Sequence, residues 1–259
     1  MKYGRIIWQG AFHYVRSEGE EVVLLAGPPW GAADCVGQAQ ETGTRLAVSE
    51  VVWAPVSDAS KVVAVGLNYR KHAEEMGKSI PLEPLVFLKP ASSLNAHQQT
   101  IKLPPESQQV EHEAELALVI GKRIGRGQEG EATHSLFGYT CFNDVTARDL
   151  QRKDVQYTRA KGFDTFSCVG PWIETDLNPN RLSLICRVNG KVRQNGNTSD
   201  MIIDPVSLVA SLARMMTLMP GDLVITGTPS GVGRLEAGDT VEVEIEGIGT
   251  LRNGVEDWT

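Results

Sequence analysis

Residues 110–121 read VEHEAELALVIG, an apolar run whose first half carries three glutamates. The composition of this run predicts a buried strand. Because side chains alternate between the two faces of a strand, Glu111, Glu113 and Glu115 are expected to share one face. His112 belongs to the opposite face. Carboxylates within an apolar strand are costly to desolvate unless a positive charge meets them, so the pattern indicates a bound cation.

Asp144 follows a second predicted strand, at residues 137–143, and precedes a predicted helix over residues 145–154. Together with Glu113 and Glu115 it would offer only oxygen ligands, which suit Mg²⁺, Mn²⁺ or Ca²⁺ rather than zinc. Three carboxylates would leave about three of the six octahedral positions around Mg²⁺ free for water or substrate oxygens.

The alternative interpretation of the glutamates is an edge strand whose carboxylates are solvated. Residues 116–120 argue against it, because they are apolar at every position and therefore on both faces. An iron site of two histidines and one carboxylate is also disfavoured, because His112 falls on the face opposite Glu113.

The chain has 259 residues, enough for one large domain or for one domain with a small appendage, and its formal net charge is −7. The acidic balance argues against nucleic acid or an anionic membrane as a partner. No window approaches the ~18 apolar residues of a membrane span, and residues 1–10 lack a signal core, so a cytoplasmic location is expected. The four cysteines form no C-x-x-C motif and are expected to be reduced and mostly buried.

Short strands and turn signals dominate the chain, whereas alternating βαβ units are absent. This pattern predicts an α+β fold with a β-rich core rather than a doubly wound sheet. Pro55 and the polar segment 57–60 mark a seam. We therefore expect a small N-terminal domain over residues 1–57 and a larger domain over residues 58–259.

Local signals predict several elements around the candidate residues. Asn68 is expected to cap a short helix, and residues 78–84, which include two prolines, are expected to form a mobile loop. The Asn-Gly pair at 189–190 predicts a type I′ hairpin turn. The Asp-Pro pair at 204–205 predicts the start of a helix.

His72 and Glu75 lie three residues apart on the predicted short helix and would share one face. A carboxylate beside an imidazole orients the ring and makes it a stronger base, so the pair is a candidate for general acid–base catalysis. An exposed helix with ordinary polar residues is the alternative.

Two basic residues are candidates for holding a substrate anion. Arg148 follows Asp144 by one helical turn, and a cation near a metal site can bind a carboxylate or stabilise an enolate. Lys161 could act in the same way. Either residue could equally be a solvated surface charge.

Residues 226–233 read TGTPSGVG after a predicted strand. The segment lacks the Gly-Lys-Ser/Thr ending of a phosphate loop, so a nucleotide site is not expected. Thr228 could offer its hydroxyl and nearby backbone amides to a bound anion. A plain tight turn is the alternative.

Six segments, in this order along the chain, resemble the fumarylacetoacetate hydrolase family. They are GLNYRKHAEE (66–75), FLKP (87–90), EAEL (113–116), NDVTARDLQ (143–151), KGFDTF (161–166) and ITGTPSGVG (225–233). The resemblance covers roughly residues 60–254. The resemblance is specific because all six segments occur in the order found in the family.

The resemblance implies a β-rich α+β roll of the fumarylacetoacetate hydrolase type with a small N-terminal domain, usually assembled as a homodimer. Glu113, Glu115 and Asp144 would bind the metal, which leaves Glu111 outside the ligand set. The implied cofactor is Mg²⁺, with Mn²⁺ or Ca²⁺ as alternatives.

The resemblance also implies roles for the side chains around the metal. His72 and Glu75 would be an acid/base pair carried on a lid, and Lys161 would also be catalytic. The implied substrate-binding residues are Arg148, Gln151, Lys161 and Thr228.

The implied substrate is a 2-oxo acid that binds the metal through its carboxylate and keto oxygens. The enolate that forms would be stabilised by the metal and by Lys161, while His72 with Glu75 would activate water or shuttle a proton. Hydrolysis, decarboxylation and keto–enol isomerisation all pass through such an enolate, so the sequence leaves the choice open.

The favoured activity is that of a 2-hydroxyhepta-2,4-diene-1,7-dioate isomerase and 5-oxopent-3-ene-1,2,5-tricarboxylate decarboxylase of aromatic catabolism. Weak support comes from the N-terminal segment, which resembles an extra domain of members that act on aromatic breakdown products. Acylpyruvate hydrolase and oxaloacetate decarboxylase are the alternatives within the family. A non-catalytic, Ca²⁺-stabilised binding domain is the alternative from another class.

Overall fold

The structure is a computed structural model that describes residues 1–30 and 39–258. Within these residues the strands are β1 (Lys2–Trp8), β2 (Ala11–Glu18), β3 (Glu21–Leu25), β4 (Glu41–Ala47), β5 (Val52–Trp53), β6 (Val62–Gly66), β7 (Leu85–Lys89), β8 (Leu94–Ala96), β9 (Ile101–Leu103), β10 (Val110–His112), β11 (Ala114–Ile120), β12 (Leu136–Asp144), β13 (Thr146–Ala147), β14 (Ser167–Val169), β15 (Ile173–Glu174), β16 (Ser183–Val188), β17 (Lys191–Asn197), β18 (Leu223–Ile225), β19 (Gly233–Arg234), β20 (Thr240–Ile245) and β21 (Gly249–Asp257). The α-helices are α1 (Arg70–Glu75), α2 (Ala132–Ser135), α3 (Arg148–Asp154), α4 (Thr158–Lys161) and α5 (Pro205–Met215).

The largest sheet of the described chain is built around the antiparallel pair β11 and β12. Its main path runs β4-β3-β2-β1-β15-β12-β11-β18-β6-β7, with β5, β8 and β14 attached beside it. The first strands join this sheet because β1 pairs with β15, with Lys2 opposite Glu174. The N-terminal segment therefore extends the same sheet that carries the central strands. The division into residues 1–57 and 58–259 stays a prediction.

A second sheet, in the order β17-β16-β20-β21-β9, packs against β11 and β12. Leu116, Leu118 and Ile120 of β11 belong to the core cluster on this side, whereas Ala117 and Val119 belong to the cluster on the other side. Burial on both faces explains why this stretch is apolar at every position. Many strands with a few short helices confirm the predicted β-rich α+β roll.

The run 110–121 forms two strands, not the single strand predicted from its pattern. β10 pairs with β13 and β19 in a small third sheet, whereas β11 pairs with β12 and β18. Glu113 lies at the break, where its backbone N–H donates to Oδ1 of Asn143 (3.0 Å). The glutamates nevertheless stay on one side of the chain across the break, because Arg148 bonds both Glu111 and Glu113. His112 lies on the other side, with its Nδ1 3.0 Å from Oε1 of Gln194. The side-chain direction expected for Glu111 and Glu113 is therefore seen, although the run is divided into two strands.

One predicted helix start and one predicted turn are confirmed. α5 begins at Pro205, and Oδ1 of Asp204 accepts hydrogen bonds from the backbone N–H groups of Val206 and Ser207 (3.0 Å each). The residues at 189–190 have φ angles of 51° and 74°, as a type I′ turn between β16 and β17 requires.

Two predicted helix starts differ from the structure. Asn68 caps nothing: α1 begins at Arg70, and Nδ2 of Asn68 donates instead to the carbonyl oxygens of Ile203 (3.0 Å) and Thr226 (2.8 Å). α3 begins at Arg148 rather than at 145, because β13 pairs with β10 first. In both places a partner distant in sequence overrides the local signal.

Residues 78–84 connect α1 to β7 and contain no helix or strand, and their mobility stays a prediction. Cys141, Cys168 and Cys186 are free and buried, and burial raises the pKa of each thiol to about 12. Cys35 lies outside the described residues. Among the helices of the described ranges, none combines the length and the apolarity needed to cross a membrane.

Candidate metal centre and active site

Three buried carboxylates meet at the end of the β11–β12 pair. The pairing aligns Ala114 with Asn143, and the carbonyl oxygen of Glu113 accepts a hydrogen bond from the backbone N–H of Asp144 (2.8 Å). One carboxylate oxygen from each of Glu113, Glu115 and Asp144 lies within 4.8 Å of the others. We call these three residues the acidic triad. Its members come from two segments that are adjacent only because the strands pair.

Two buried lysines neutralise part of the acidic triad. Nζ of Lys161, from α4, donates to Oε2 of Glu113 (2.7 Å) and to Oδ2 of Asp144 (2.6 Å). Nζ of Lys89, from β7, donates to Oδ1 of Asp144 (2.5 Å) and to the carbonyl oxygen of Phe166 (2.9 Å). Burial lowers the pKa of Lys161, but the charges of Asp144 and Glu113 outweigh burial and raise it, so this lysine stays protonated.

Arg148 connects the acidic triad to Glu111. Its Nε donates to Oε2 of Glu111 (2.7 Å), its Nη2 to Oε1 of Glu113 (2.5 Å) and its Nη1 to Oε1 of Gln151 (2.7 Å). Burial raises the pKa of Glu113, but the charges of Lys161 and Arg148 outweigh it and hold the pKa well below its usual range. Glu111 therefore orients the arginine, and it lies outside the triad.

Glu115 differs from the other members of the acidic triad. Its Oε2 accepts a hydrogen bond from the backbone N–H of Gly227 (2.6 Å), and within the described residues no lysine or arginine forms an ion pair with it. Burial and the charges of Asp144 and Glu113 raise its pKa well above the usual value. With all three carboxylates ionised, the triad would carry more negative charge than its protein partners neutralise, which is what the raised pKa reflects.

His72 and Glu75 form the pair expected from their spacing on α1. Nδ1 of His72 lies 3.0 Å from Oε2 of Glu75, and the imidazole is buried whereas the carboxylate is about one-third exposed, at 34%. Oε1 of Glu75 accepts a hydrogen bond from the backbone N–H of Gly231 (3.0 Å). This contact joins α1 to the glycine-rich turn 226–233.

The glycine-rich turn closes one side of the site. Gly227 has a φ of +91°, and a Cβ there would lie 3.0 Å from Cβ of Asn68, so the position requires glycine. The hydroxyl of Thr228 donates to the carbonyl oxygen of Ala114 (2.7 Å) and accepts from Nε2 of Gln194 (2.7 Å). The proton of that hydroxyl is therefore already committed within the protein.

These groups line one pocket, which we call the site pocket. The residues predicted from the sequence that line it are His72, Glu113, Glu115, Asp144, Arg148, Gln151, Lys161 and Thr228. Glu75 is not part of this lining, but its carboxylate contacts the imidazole of His72. Further lining residues are Val65, Gly66, Leu67, Met76, Lys78, Leu85, Phe87, Tyr157 and Gly227.

Sequence reasoning did not assign a role to several residues in and around the site pocket. Lys89 is 1% exposed and its Nζ bonds Asp144, although it ends an otherwise apolar strand. A lysine in that position is the available signal, because a buried ammonium requires a carboxylate partner. Glu111 was set aside, yet it holds Arg148. No pattern in the sequence distinguishes Phe87 or Tyr157 from ordinary core aromatics.

The acidic triad fits a hard divalent cation. Its donors are all carboxylate oxygens, they lie close enough to share one ion, and they are buried. One of them, Glu115, accepts a hydrogen bond from a backbone amide and has a raised pKa, as expected when a counter-charge is missing. The residues that would hold the ion are therefore those predicted from the sequence.

Two family descriptions match this chain. Residues 61–256 match the family described as fumarylacetoacetate (FAA) hydrolase C-terminal, and residues 1–55 match the one described as Rv2993c-like, N-terminal. Together the two matches cover nearly the whole chain.

Characterised relatives catalyse different reactions. The chain is 42% identical over 216 residues to 2,4-didehydro-3-deoxy-L-rhamnonate hydrolase of Sphingomonas sp., which covers 79% of this chain and 76% of that protein. It is 42% identical over 220 residues to human mitochondrial oxaloacetate tautomerase FAHD2A, which covers 80% of this chain and 70% of that protein. The crystal structure of 2-hydroxyhepta-2,4-diene-1,7-dioate isomerase from Mycobacterium marinum superposes with a TM-score of 0.88 at 42% identity, over 99% of this chain and 98% of that one. The chain therefore belongs to the fumarylacetoacetate hydrolase family of enzymes.

Proposed function

We propose that the protein is a divalent-metal-dependent enzyme that acts on a 2-oxo dicarboxylic acid, or its enol, through a stabilised enolate. The observation that carries this proposal is the acidic triad in the site pocket, with Glu115 unpaired by any basic side chain of the described residues. His72, a candidate base, lines the same pocket.

The charge balance supports a divalent cation as cofactor, with Mg²⁺ proposed and Mn²⁺ or Ca²⁺ as alternatives. Four buried carboxylates meet three buried basic side chains: Glu111, Glu113, Glu115 and Asp144 against Lys89, Arg148 and Lys161. One negative charge is left over, and a divalent cation would change this to one positive charge. That excess matches the single charge of a substrate carboxylate.

When bound, the cation supplies Lewis-acid stabilisation for the oxygen that becomes negative in the enolate. The protein supplies binding and orientation. Arg148 and Gln151, which hydrogen-bond each other, are proposed to bind the substrate carboxylate. Lys161 is held between two carboxylates in its charged form and is proposed to stabilise the enolate oxygen.

His72 is proposed to move the proton. With the Nδ1 proton directed at Glu75, Nε2 carries the lone pair and can act as the base. In keto–enol isomerisation the enol hydroxyl loses one proton and a carbon atom of the chain gains one. His72 can take and return that proton, so no water or other reactant is required.

Among the possible reactions we favour isomerisation of 2-hydroxyhepta-2,4-diene-1,7-dioate, with decarboxylation of 5-oxopent-3-ene-1,2,5-tricarboxylate, in aromatic catabolism. The isomerase structure from Mycobacterium marinum supports this choice, because the similarity extends over 99% of the chain and so includes the N-terminal segment. Tautomerisation of oxaloacetate is the second candidate, favoured by the human relative. Oxaloacetate decarboxylation and acylpyruvate hydrolysis also proceed through an enolate of a 2-oxo acid, and they are the remaining candidate reactions to test.

The test is a substrate panel with the metal-depleted protein. Protein treated with EDTA and dialysed is assayed with 2-hydroxyhepta-2,4-diene-1,7-dioate, enol-oxaloacetate and acetylpyruvate, with and without Mg²⁺ or Mn²⁺, by loss of enol absorbance. We expect turnover of at least one substrate that depends on added metal. The variant Glu115→Gln, which removes one triad carboxylate, is expected to lose this turnover. Glu106→Gln, at an exposed glutamate, is its matched control and should retain it. Failure of every substrate with every metal, or turnover unaffected by EDTA, would contradict the proposal.

A non-catalytic, Ca²⁺-stabilised domain predicts a different pair of results. In that case Glu113→Ala would unfold the protein and His72→Ala would change no measured property. Our proposal predicts that His72→Ala abolishes turnover while the melting temperature stays nearly the same.

The homodimer implied by the family resemblance and the cytoplasmic location stay predictions. Light scattering of the purified protein measures the first, and a mass near twice that of the chain is expected.

A further inference from the structure

We propose that Lys78 and Tyr157 form a second anion-binding subsite at the mouth of the site pocket, which binds the distal carboxylate of the substrate. The inference rests on the proposed function, and it adds what selects a dicarboxylic acid over a monocarboxylic one. Both residues line the same pocket as the acidic triad.

Lys78 is the cation of this pocket whose charge is available. Arg148 and Lys161, deeper in the pocket, are paired with triad carboxylates and in the proposed function serve the 2-oxo acid end of the substrate. Lys78 forms no ion pair with any residue of the described ranges, and its Nζ donates to Oη of Tyr157 (3.3 Å). An ammonium and a phenol hydroxyl, held side by side, can both donate to one carboxylate.

An aromatic wall connects the two ends of the pocket. Nζ of Lys161 lies 5.3 Å from the ring centroid of Phe87, and the rings of Phe87 and Tyr157 meet edge to face with centroids 5.2 Å apart. Nζ of Lys78 lies 5.9 Å from the ring centroid of Tyr157. Cation, ring, ring and cation therefore follow one another from the floor of the pocket to its mouth.

This sequence of groups suits an extended diacid. A conjugated or methylene chain packs against the faces and edges of aromatic rings, whereas each end needs a positive charge. The head of the molecule, the 2-oxo acid, is bound at the acidic triad in the proposed function. The distal carboxylate would then lie beside Lys78, which is exposed and can move its ammonium group to meet ligands of different length.

The test compares two ligands that differ only at the distal end. 2-Oxoheptanedioate and 2-oxoheptanoate have the same chain length, and one ends in a carboxylate where the other ends in a methyl group. Binding to the Mg²⁺-saturated full-length protein is measured by calorimetry, which requires no turnover. The variants are Lys78→Ala, Lys78→Arg and Tyr157→Phe, with Lys153→Ala, at an exposed lysine of α3 outside the pocket lining, as the matched control.

We expect the wild-type protein to bind the diacid more tightly than the monoacid, and Lys78→Ala to reduce that preference about twofold to fivefold, as expected for an exposed charge pair. Lys78→Arg should restore most of the preference, Tyr157→Phe should reduce it by a smaller factor, and Lys153→Ala should leave it as in the wild type. Equal binding of the two ligands by the wild type, or an equal loss for both in Lys78→Ala, would overturn the subsite. If the wild type binds neither ligand, the proposed function itself fails, and the subsite with it.

Discussion

Replacing Glu115 by glutamine is expected to stabilise the metal-free protein and to abolish its stabilisation by Mg²⁺. Within the described residues Glu115 has no cationic partner, and its Oε2 accepts one hydrogen bond from the backbone N–H of Gly227. Glutamine carries no charge, and its side-chain oxygen can accept the same hydrogen bond. The substitution therefore removes the uncompensated charge and retains the packing.

The magnitude follows from linkage. Burial, together with the charges of Asp144 and Glu113, raises the pKa of Glu115 above the ordinary value of 4.5. Because the folded pKa lies above the unfolded one, the cost to stability is absent below pH 4.5 and grows as the pH rises toward the folded pKa. Each pH unit in that window costs about 1.4 kcal/mol, so the cost at pH 7 is at most about 3.5 kcal/mol.

The assay is thermal unfolding in EDTA at pH 5 and pH 7. For a chain of this size 1 kcal/mol shifts the melting temperature by about 2–4 °C, so Glu115→Gln should raise it by up to about 7–14 °C at pH 7 and by much less at pH 5. Saturating Mg²⁺ should then stabilise the wild type but not the variant.

Two matched variants make the test specific. Glu113→Gln removes a carboxylate that is paired with Arg148 and Lys161, and we expect it to destabilise the metal-free protein by about 3–5 kcal/mol. Glu106→Gln, at an exposed position, should change stability by less than about 0.5 kcal/mol. If Glu115→Gln proves less stable than the wild type at pH 7 in EDTA, the argument from surplus charge is refuted.

His72→Ala should reduce kcat by at least about 100-fold while the melting temperature shifts little, as steady-state kinetics and calorimetry would measure. Lys161 donates hydrogen bonds to two triad carboxylates but is not itself a proposed metal ligand. Lys161→Ala should therefore retain Mg²⁺ binding in a titration yet slow turnover in a single-turnover assay. Asp204→Ala should lower stability by about 1 kcal/mol in denaturant titrations at pH 7. Partial burial raises the pKa of Asp204, but hydrogen bonds from Ser207 and Val206 outweigh it and lower the pKa, so this difference should disappear as the pH falls through the folded value.

Interactions between residues close in sequence were predictable here. The Asn-Gly turn at 189–190, the Asp204 cap and the His72–Glu75 pair each depend on a few consecutive residues, and the structure contains all three. The cap expected at Asn68 failed, because its side chain bonds carbonyl groups more than a hundred residues away. Local propensity cannot include such a partner.

The alternation rule grouped the glutamates of the site but could not distinguish their roles. It correctly grouped Glu113 with Glu115, which reach the same site. It also grouped Glu111 with them, and Arg148 does bond both Glu111 and Glu113, but alternation cannot separate a carboxylate that holds Arg148 from one that belongs to the triad. Only the family resemblance excluded Glu111 from the ligand set.

The amino-acid sequence was enough to predict a β-rich core, to select Glu113, Glu115 and Asp144 as candidates for one cation, and to reveal the resemblance to a known family. These properties depend on composition, on spacing along single strands and on ordered motifs. The tertiary structure alone decided that Lys89 bonds Asp144, that Glu111 holds Arg148, and that Lys78 and Tyr157 share a pocket with them. Each of these contacts joins segments that are distant along the chain, and a charge buried in one segment is balanced only after folding brings its partner to it.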